Sequence, residues 1–255
     1  MALFDVSADS YVRFMGRFSA PLATSFADFG LRGLGEDMSV LDVGCGPGML
    51  TAELVRRLGD ERVSAVDPQP SFIAAVQAAY PEVDAQVASA EDLPHETATF
   101  GATLAQLVVH FMADPARGVQ EMKRVTVPGG RVSACVWAHA DDSGPLSGFW
   151  RAVQRIDPGA DDESGLTGSA RGEIVALFEG AGLREVTEEL LTVALEFATF
   201  EEWWLPFTEA VGPAGAYVAR LGEDRRERLV TELRREYGEG PFSLQVAAWA
   251  ATGRV

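Results

Sequence analysis

An α/β fold built on a mostly parallel sheet is what this sequence predicts, and three observations carry the expectation. Between residues 40 and 137, short apolar stretches alternate with segments of helical periodicity. The first stretch, Val40–Val43, runs into a glycine-rich turn, Gly44-Cys45-Gly46-Pro47-Gly48. The second ends on a carboxylate, Asp67. Brief, wholly apolar strands are buried on both faces, an environment that helical crossovers provide in a parallel sheet.

The elements follow in order. Residues 10–33 read as helical, with Leu22, Phe26 and Phe29 at helical spacing and Gly30 and Gly33 closing the segment. Residues 40–43 are strand one, and 49–58 a helix with Leu50, Leu54 and Leu58 on one face. Residues 62–66 are strand two, 71–80 a helix stopped by Pro81, 84–88 strand three and 102–109 an apolar strand four. Residues 115–125 are helical, Pro128-Gly129-Gly130 is a turn, and 131–137 are strand five. From 138 to 170 the chain is rich in Gly, Ser, Asp and Pro, which suits a long loop beside a site, with a short helix near 149–156. Residues 173–181 form a helix ended by Gly182, 186–197 a sixth strand and 242–252 the last. The stretch 199–238 reads as helical, aromatic first and charged later, and is expected to be a lid inserted into a single domain. Residues 1–36 are expected to form an N-terminal helical cap, and 37–198 with 239–255 the ligand-binding domain.

Composition narrows the partners. Acidic side chains outnumber basic ones 38 to 21, for a net charge of −17. Such a field repels a polyanion, and the densest basic pairs, Arg225-Arg226 and Arg234-Arg235, lie among glutamates, so nucleic-acid binding is not expected. The two cysteines, Cys45 and Cys135, make neither a disulfide framework nor a metal set. The start MALFDVSADSYVRF lacks the basic then apolar pattern of a signal peptide, and no apolar run suits a membrane span. A cytoplasmic protein with a small-molecule partner is expected; a monomer and a homodimer are both compatible.

In a parallel sheet, ligands bind beyond the carboxyl ends of the strands, where strand order reverses. Three such ends carry suitable chemistry. Gly44, Gly46 and Gly48 strip side chains from one turn, with Cys45 between them and Asp42 placed to orient the turn from beneath. Asp67, 19 residues beyond Gly48 and followed by Pro68 and Gln69, can accept both hydroxyl hydrogens of a ribose. The polar loop Ala88-Ser89-Ala90-Glu91-Asp92-Leu93-Pro94 suits an adenine edge. A dinucleotide fingerprint, G-x-G-x-x-G, would place its third glycine where Met49 stands. No nucleophile elbow, Walker loop or metal-ligand spacing is present, so hydrolase, kinase-like and zinc chemistry lack visible machinery.

The ordered set VLDVGCGPG (40–48), AVDPQPSF (65–72), ASAEDLP (88–94), AQLVVHFMADP (105–115) and EMKRVTVPGG (121–130) resembles the class I S-adenosylmethionine-dependent methyltransferases. The branch it is most similar to contains small-molecule enzymes related to ubiquinone and menaquinone methyltransferases. The resemblance covers about residues 10–137 and implies a Rossmann-like seven-stranded sheet whose last strand is antiparallel. It implies that Gly44, Gly46 and Gly48 skirt the methionine part of S-adenosylmethionine, that Asp67 holds the ribose, and that Ala90 and the Glu91 region meet the adenine. Gln106 would line the methionine pocket, and Arg17 with Tyr11 would contact the cofactor's carboxylate from the YVRFMGRF segment (11–18). Ser89 stands where the family often has aspartate, and Phe100-Gly101 replaces the usual Phe-Asp at the start of strand four. The hydroxyl can still bond an adenine amino group, and the glycine is expected to serve strand geometry.

His110, ending strand four, and His139, just past strand five, are the candidate general bases; His95 is expected on an exposed loop. Either of the first two could instead shape the pocket, since the sulfonium is electrophilic enough for positioning alone to supply much of the acceleration. Trp203, Trp204, Phe207 and Tyr217, with Phe149 and Trp150, are either the filling of a helical lobe or the walls of an apolar acceptor pocket. Two rivals share this pattern: a protein that binds S-adenosylmethionine without transferring methyl, as in a rearrangement, cyclisation or sensor, and an NAD(P)-dependent oxidoreductase.

Overall fold

The computed structural model describes residues 12–35 and 37–255. Within them β1 (Val40–Val43), β2 (Val63–Asp67), β3 (Asp84–Val87), β4 (Phe100–Gln106), β5 (Thr126–Trp137), β6 (Arg184–Phe197) and β7 (Phe242–Arg254) form one sheet. Its order is β3-β2-β1-β4-β5-β7-β6. Strands β1 to β5 pair in parallel, with Val40 opposite Val63 on one side and Ala102 on the other. Strand β7 runs antiparallel between β5 and β6, as the last strand is expected to. The chain leaves β1 towards β2 and β3 and returns to β4 on the opposite side, so the strand order reverses at the β1–β4 junction.

The helices are α1 (Arg17–Gly30), α2 (Met49–Leu58), α3 (Pro70–Ala79), α4 (Pro115–Val125), α5 (Ser147–Ile156), α6 (Glu173–Gly180), α7 (Phe200–Trp204), α8 (Gly212–Arg220) and α9 (Glu223–Tyr237). They cover both faces of the sheet. Alternating Cβ directions divide the strand side chains between two cores. Val40 joins a core with Leu22, Phe26 and Leu54, while Leu41 joins one with Val119, Met122 and Phe178.

Among the element boundaries that differ from expectation, those of β5 and β4 have a clear local cause. Strand β5 begins at Thr126, so Pro128-Gly129-Gly130 lies inside the strand instead of before it. The register passes from Phe100 opposite Thr126 to Ala102 opposite Arg131, and the extra residues of β5 bulge at Gly129, where φ is 82°. Gly101 makes this corner possible, because a Cβ there would come within 2.6 Å of the Met38 Cβ. Strand β4 ends at Gln106 instead of 109: Leu107 turns the chain at φ 62°, and Val109–Phe111 is a short 3₁₀ turn. A leucine held in the left-handed region is unusual, and such residues cluster at functional sites.

The 199–238 stretch is helical as expected, in α7, α8 and α9 joined by a short 3₁₀ turn. Phe207 stacks on Phe149 of α5, with centroids 4.8 Å apart, and meets Phe14 edge-on at 5.0 Å. Trp203, Phe207 and Tyr217 are almost wholly buried in the larger core. These aromatics fill the lobe that joins α1 to α5.

Candidate functional site

A cavity of about 450 Å³ opens over the carboxyl ends of β1, β2, β3 and β4. Asp42, Gly44, Cys45, Gly46, Asp67, Pro68, Gln69, Ser89, Ala90, Glu91 and Gln106 all line it, so eleven of the fourteen residues expected to bind the cofactor converge there. Its volume suits a nucleoside-sized ligand.

The three glycines of the turn have separate jobs. A Cβ on Gly46 would meet nothing within 4 Å, so its bare face looks into open space. A Cβ on Gly44 would sit 2.5 Å from the Val108 side chain, so this glycine admits a neighbouring loop. Gly48 caps α2 at φ 97°, where a Cβ would press on Val76 of α3 at 3.2 Å, and it does not line the cavity. The expectation that all three skirt a ligand is therefore narrowed.

Asp67 locks this turn to β2. Its Oδ2 accepts from the Gly46 N–H at 2.9 Å and its Oδ1 from the Gln69 N–H at 2.8 Å. Each carboxylate oxygen keeps a further lone pair for a ligand hydroxyl. Burial pushes its pKa up, with the two backbone N–H groups acting in the opposite direction. Asp42 lies beneath, where Thr51 Oγ1 donates to its Oδ2 at 2.6 Å while Oδ1 is buried without a partner. Burial raises the Asp42 carboxyl to about 7 despite the Thr51 hydrogen bond, and the nearby Asp67 charge adds to the rise.

Gln106 is anchored by its Nε2, which donates to the Ser19 carbonyl of α1 at 3.0 Å; its Oε1 is buried and unpartnered. An unsatisfied buried acceptor on a cavity wall is a place for a ligand donor. The Ser89 hydroxyl is taken by the Glu91 carboxylate, whose other oxygen accepts from the Ala113 N–H at 2.7 Å. The loop is thus pinned to the segment after β4, and Ser89 acts on its own loop before any ligand.

Arg17 lies elsewhere. Its guanidinium pairs with Glu202 of α7 at 2.6 Å and sits 4.4 Å over the Phe197 ring, outside the cavity lining. Arg17 thus ties α1 to α7 and is not placed on the cavity wall, where the expected carboxylate contact would put it. Tyr11 falls outside the described residues. His95 is half-buried with its ring edge-on to Phe100 at 4.9 Å, instead of exposed.

His110 and His139 meet at a second, smaller cavity of about 40 Å³, which borders the first at Leu107 and Phe111. Phe14, Met15, Trp137, Leu146 and the Val211-Gly212-Pro213 stretch form its apolar walls. Burial holds His110 down to about 3, with His139 adding to the effect, and holds His139 down to about 4. Both rings are therefore neutral at pH 7, and so low a pKa makes either a weak proton acceptor. Nδ1 of each is buried and unpartnered. Glu163, which the sequence did not single out, lines the same cavity; nothing in its loop marks it, because its burial arises from packing against Trp150. Ser19, Met49, Phe72, Val108 and Met112 also line the larger cavity and were not singled out by the sequence, since a serine or an apolar side chain within a helix or loop carries no local signal of a cavity.

A sheet of order 3-2-1-4-5-7-6 with its site at the β1–β4 reversal defines a Rossmann-like class I methyltransferase fold. Residues 41–134 match the family model of a methyltransferase domain. An uncharacterised methyltransferase of Mycobacterium tuberculosis is 41% identical over 103 residues, covering 40% of this chain and 41% of that protein. A chloroplastic 2-methyl-6-phytyl-1,4-hydroquinone methyltransferase of Oryza sativa is 28% identical over 151 residues, 58% of this chain and 42% of its own. The matched stretches thus span about two fifths of these relatives' length. A solved structure described as a putative methyltransferase from Bacillus halodurans superimposes with a TM-score of 0.59 at 17% identity, covering 91% of this chain and 97% of that one.

Proposed function

We propose that this protein transfers a methyl group from S-adenosylmethionine to a small, neutral acceptor in the cytoplasm. One observation carries the reading: the Gly46 N–H donates to the Asp67 carboxylate, and Asp67 and the bare face of Gly46 line one cavity at the strand-order reversal. Three features fit the cofactor. Asp67 retains acceptor capacity for ribose hydroxyls, Gly46 leaves room for a ligand against the backbone, and the orphaned Gln106 Oε1 offers an acceptor to an ammonium group.

When bound, S-adenosylmethionine supplies a methyl group made electrophilic by a positive sulfur. The chain's own residues do the rest. Asp67 and the Ala90–Glu91 loop grip the nucleoside, while Gln106, fixed by Ser19, holds the amino-acid end. Asp42 holds the turn from below through Thr51. His110 and His139, stripped of charge by burial, flank the acceptor and leave the sulfonium without a competing cation. The small second cavity, with its largely apolar walls, leaves little room for water beside the methyl group.

The direct test is titration calorimetry with S-adenosylhomocysteine. Asp67→Ala is expected to weaken binding about tenfold or more, since hydrogen bonds to a charged group contribute roughly 1.5–3 kcal/mol each. An unchanged affinity removes the ribose assignment. Labelled S-adenosylmethionine separates transfer from simple binding, because label reaches an acceptor only under the first.

A further inference from the structure

We propose that Glu163 is the hydrogen-bond acceptor and proton acceptor for a phenol-type hydroxyl in the second cavity, a step that rests on the methyl-transfer reading above. Glu163 lies in the loop between α5 and α6, held there because Asp162 Oδ1 accepts from both the Ser164 N–H at 2.9 Å and the Ser164 hydroxyl at 2.5 Å. The side chain is only 7% exposed. Its Oε2 accepts from Trp150 Nε1 at 2.8 Å, so α5 aims the carboxylate.

The other oxygen is what makes this a site. Glu163 Oε1 accepts no hydrogen bond among the described residues, yet it is not one of the sealed, unpaired buried atoms. It is therefore open to the cavities that Glu163 lines: the one shared with His110, His139 and Trp137, and a neighbouring one of about 60 Å³ beyond His139. A carboxylate set among aromatic and aliphatic walls needs a partner, and neither cavity-facing histidine donates to it.

The walls choose the partner. Phe14, Phe111 and Trp137 present aromatic surface, which favours a planar ring. The same burial that strips charge from His110 and His139 disfavours a cationic acceptor. A neutral ring bearing a hydroxyl satisfies both. The cavity holds about 40 Å³, whereas a benzene ring fills one of roughly 150 Å³, so a bound ring requires the walls to move apart.

The chemistry balances without a further reagent. An electron pair on the hydroxyl oxygen forms the new O–C bond to the methyl group. The C–S bond breaks, its pair staying on sulfur as a neutral thioether. The hydroxyl proton passes to Glu163 and from there to solvent. Burial lifts the Glu163 carboxyl to about 6, against the Trp150 hydrogen bond, which brings it closer to neutrality than either histidine. The titratable and charged groups facing it are His110, His139 and Asp162, with Asp142 and Arg151 across the neighbouring cavity.

The probe is 4-nitrophenol, titrated by absorbance into the full chain saturated with S-adenosylhomocysteine. Saturable binding that strengthens as pH rises through about 6, and that weakens about tenfold or more in Glu163→Gln, supports the proposal. Gln can still accept from Trp150 through its amide oxygen, so the fold is expected to persist, and the wild-type pH dependence stands independently of the variant. Methyl transfer to the probe is expected to lose its acid limb and fall about 100-fold in Glu163→Gln. Equal binding by both proteins, or binding insensitive to pH below neutrality, overturns the role of Glu163. No binding or methylation of 4-nitrophenol while S-adenosylhomocysteine still binds overturns the phenol site alone. Failure of S-adenosylhomocysteine to bind overturns the methyl-transfer reading.

Discussion

Gly44 and Gly46 are two residues apart and indistinguishable in a sequence pattern, yet their substitutions are expected to fail in opposite ways. Both sit at positive φ, 70° and 52°, where an alanine costs roughly 1–2 kcal/mol. Gly44→Ala adds a Cβ 2.5 Å from Val108 inside packed structure, so overpacking adds about 1–3 kcal/mol and the melting temperature falls further. Gly46→Ala meets no protein atom, so it is expected to lose only the strain while abolishing detectable S-adenosylhomocysteine binding by calorimetry. A Gly46→Ala protein that binds normally would place the ligand elsewhere. Asp42 supplies a second residue-scale expectation. Its folded carboxyl titrates near 7, above the ordinary 3.8, so the native state holds a proton that the unfolded chain has lost between those values. The Asp42 contribution to stability of the ligand-free protein therefore falls as pH rises from about 4 to 7, by an amount on the order of a few kcal/mol, while buried His110 and His139, with lowered pKa values, contribute in the opposite direction over pH 3 to 6.5. Asp42→Asn, which can still accept from Thr51, is expected to flatten that fall and raise the melting temperature at pH 8. Melting curves across pH compare the two directly.

At the scale of elements, α1 and the turn before it are tied to the helical 199–238 stretch. Arg17 pairs with Glu202 and covers Phe197, while Arg13 forks onto Glu209 at 3.1 and 2.8 Å. An exposed pair contributes about 0–1 kcal/mol and the cation–π contact about 0.5–1 kcal/mol. Arg17→Ala is accordingly expected to lower the melting temperature by a few degrees and to speed hydrogen exchange across α7 and α8. It should leave S-adenosylhomocysteine affinity within about twofold; a large loss would return Arg17 to the cofactor carboxylate. The same tie bears on entry to the second cavity. Its wall at Val211-Gly212-Pro213 follows Ala210, whose φ is 58°, and Gly212, whose φ is 63°, so the backbone turns there twice through the left-handed region.

Over the whole molecule, ligand binding and charge act on one folding equilibrium. S-adenosylhomocysteine at 100 times its dissociation constant is expected to add about 2.7 kcal/mol, which raises the melting temperature by roughly 5–10 °C. NADH should leave it unchanged, because Met49 stands where the dinucleotide fold has its third glycine; a rise with NADH alone would favour the oxidoreductase rival. The net charge of −17 repels itself, so moderate salt is expected to stabilise the ligand-free protein. No helix among the described residues is long and apolar enough to cross a membrane.

Local chemistry was enough to announce the sheet, its parallel strands and most of the polar lining of the larger cavity. A glycine turn, a strand-terminal acid and an acidic loop each declare themselves within a few residues, and strand periodicity places them at one edge. What each turn glycine is for, and that Arg17 grips Glu202, came only with the packed structure, since both depend on partners as far as 185 positions away. The same holds for Glu163. Its loop reads as a long one beside a site, but nothing in it singles out this residue, and only the docking of α5 against the second cavity buries the carboxylate and aims it through Trp150. Burial is a property of the assembled fold, and it is burial that sets the proton affinities of Glu163, His110 and His139.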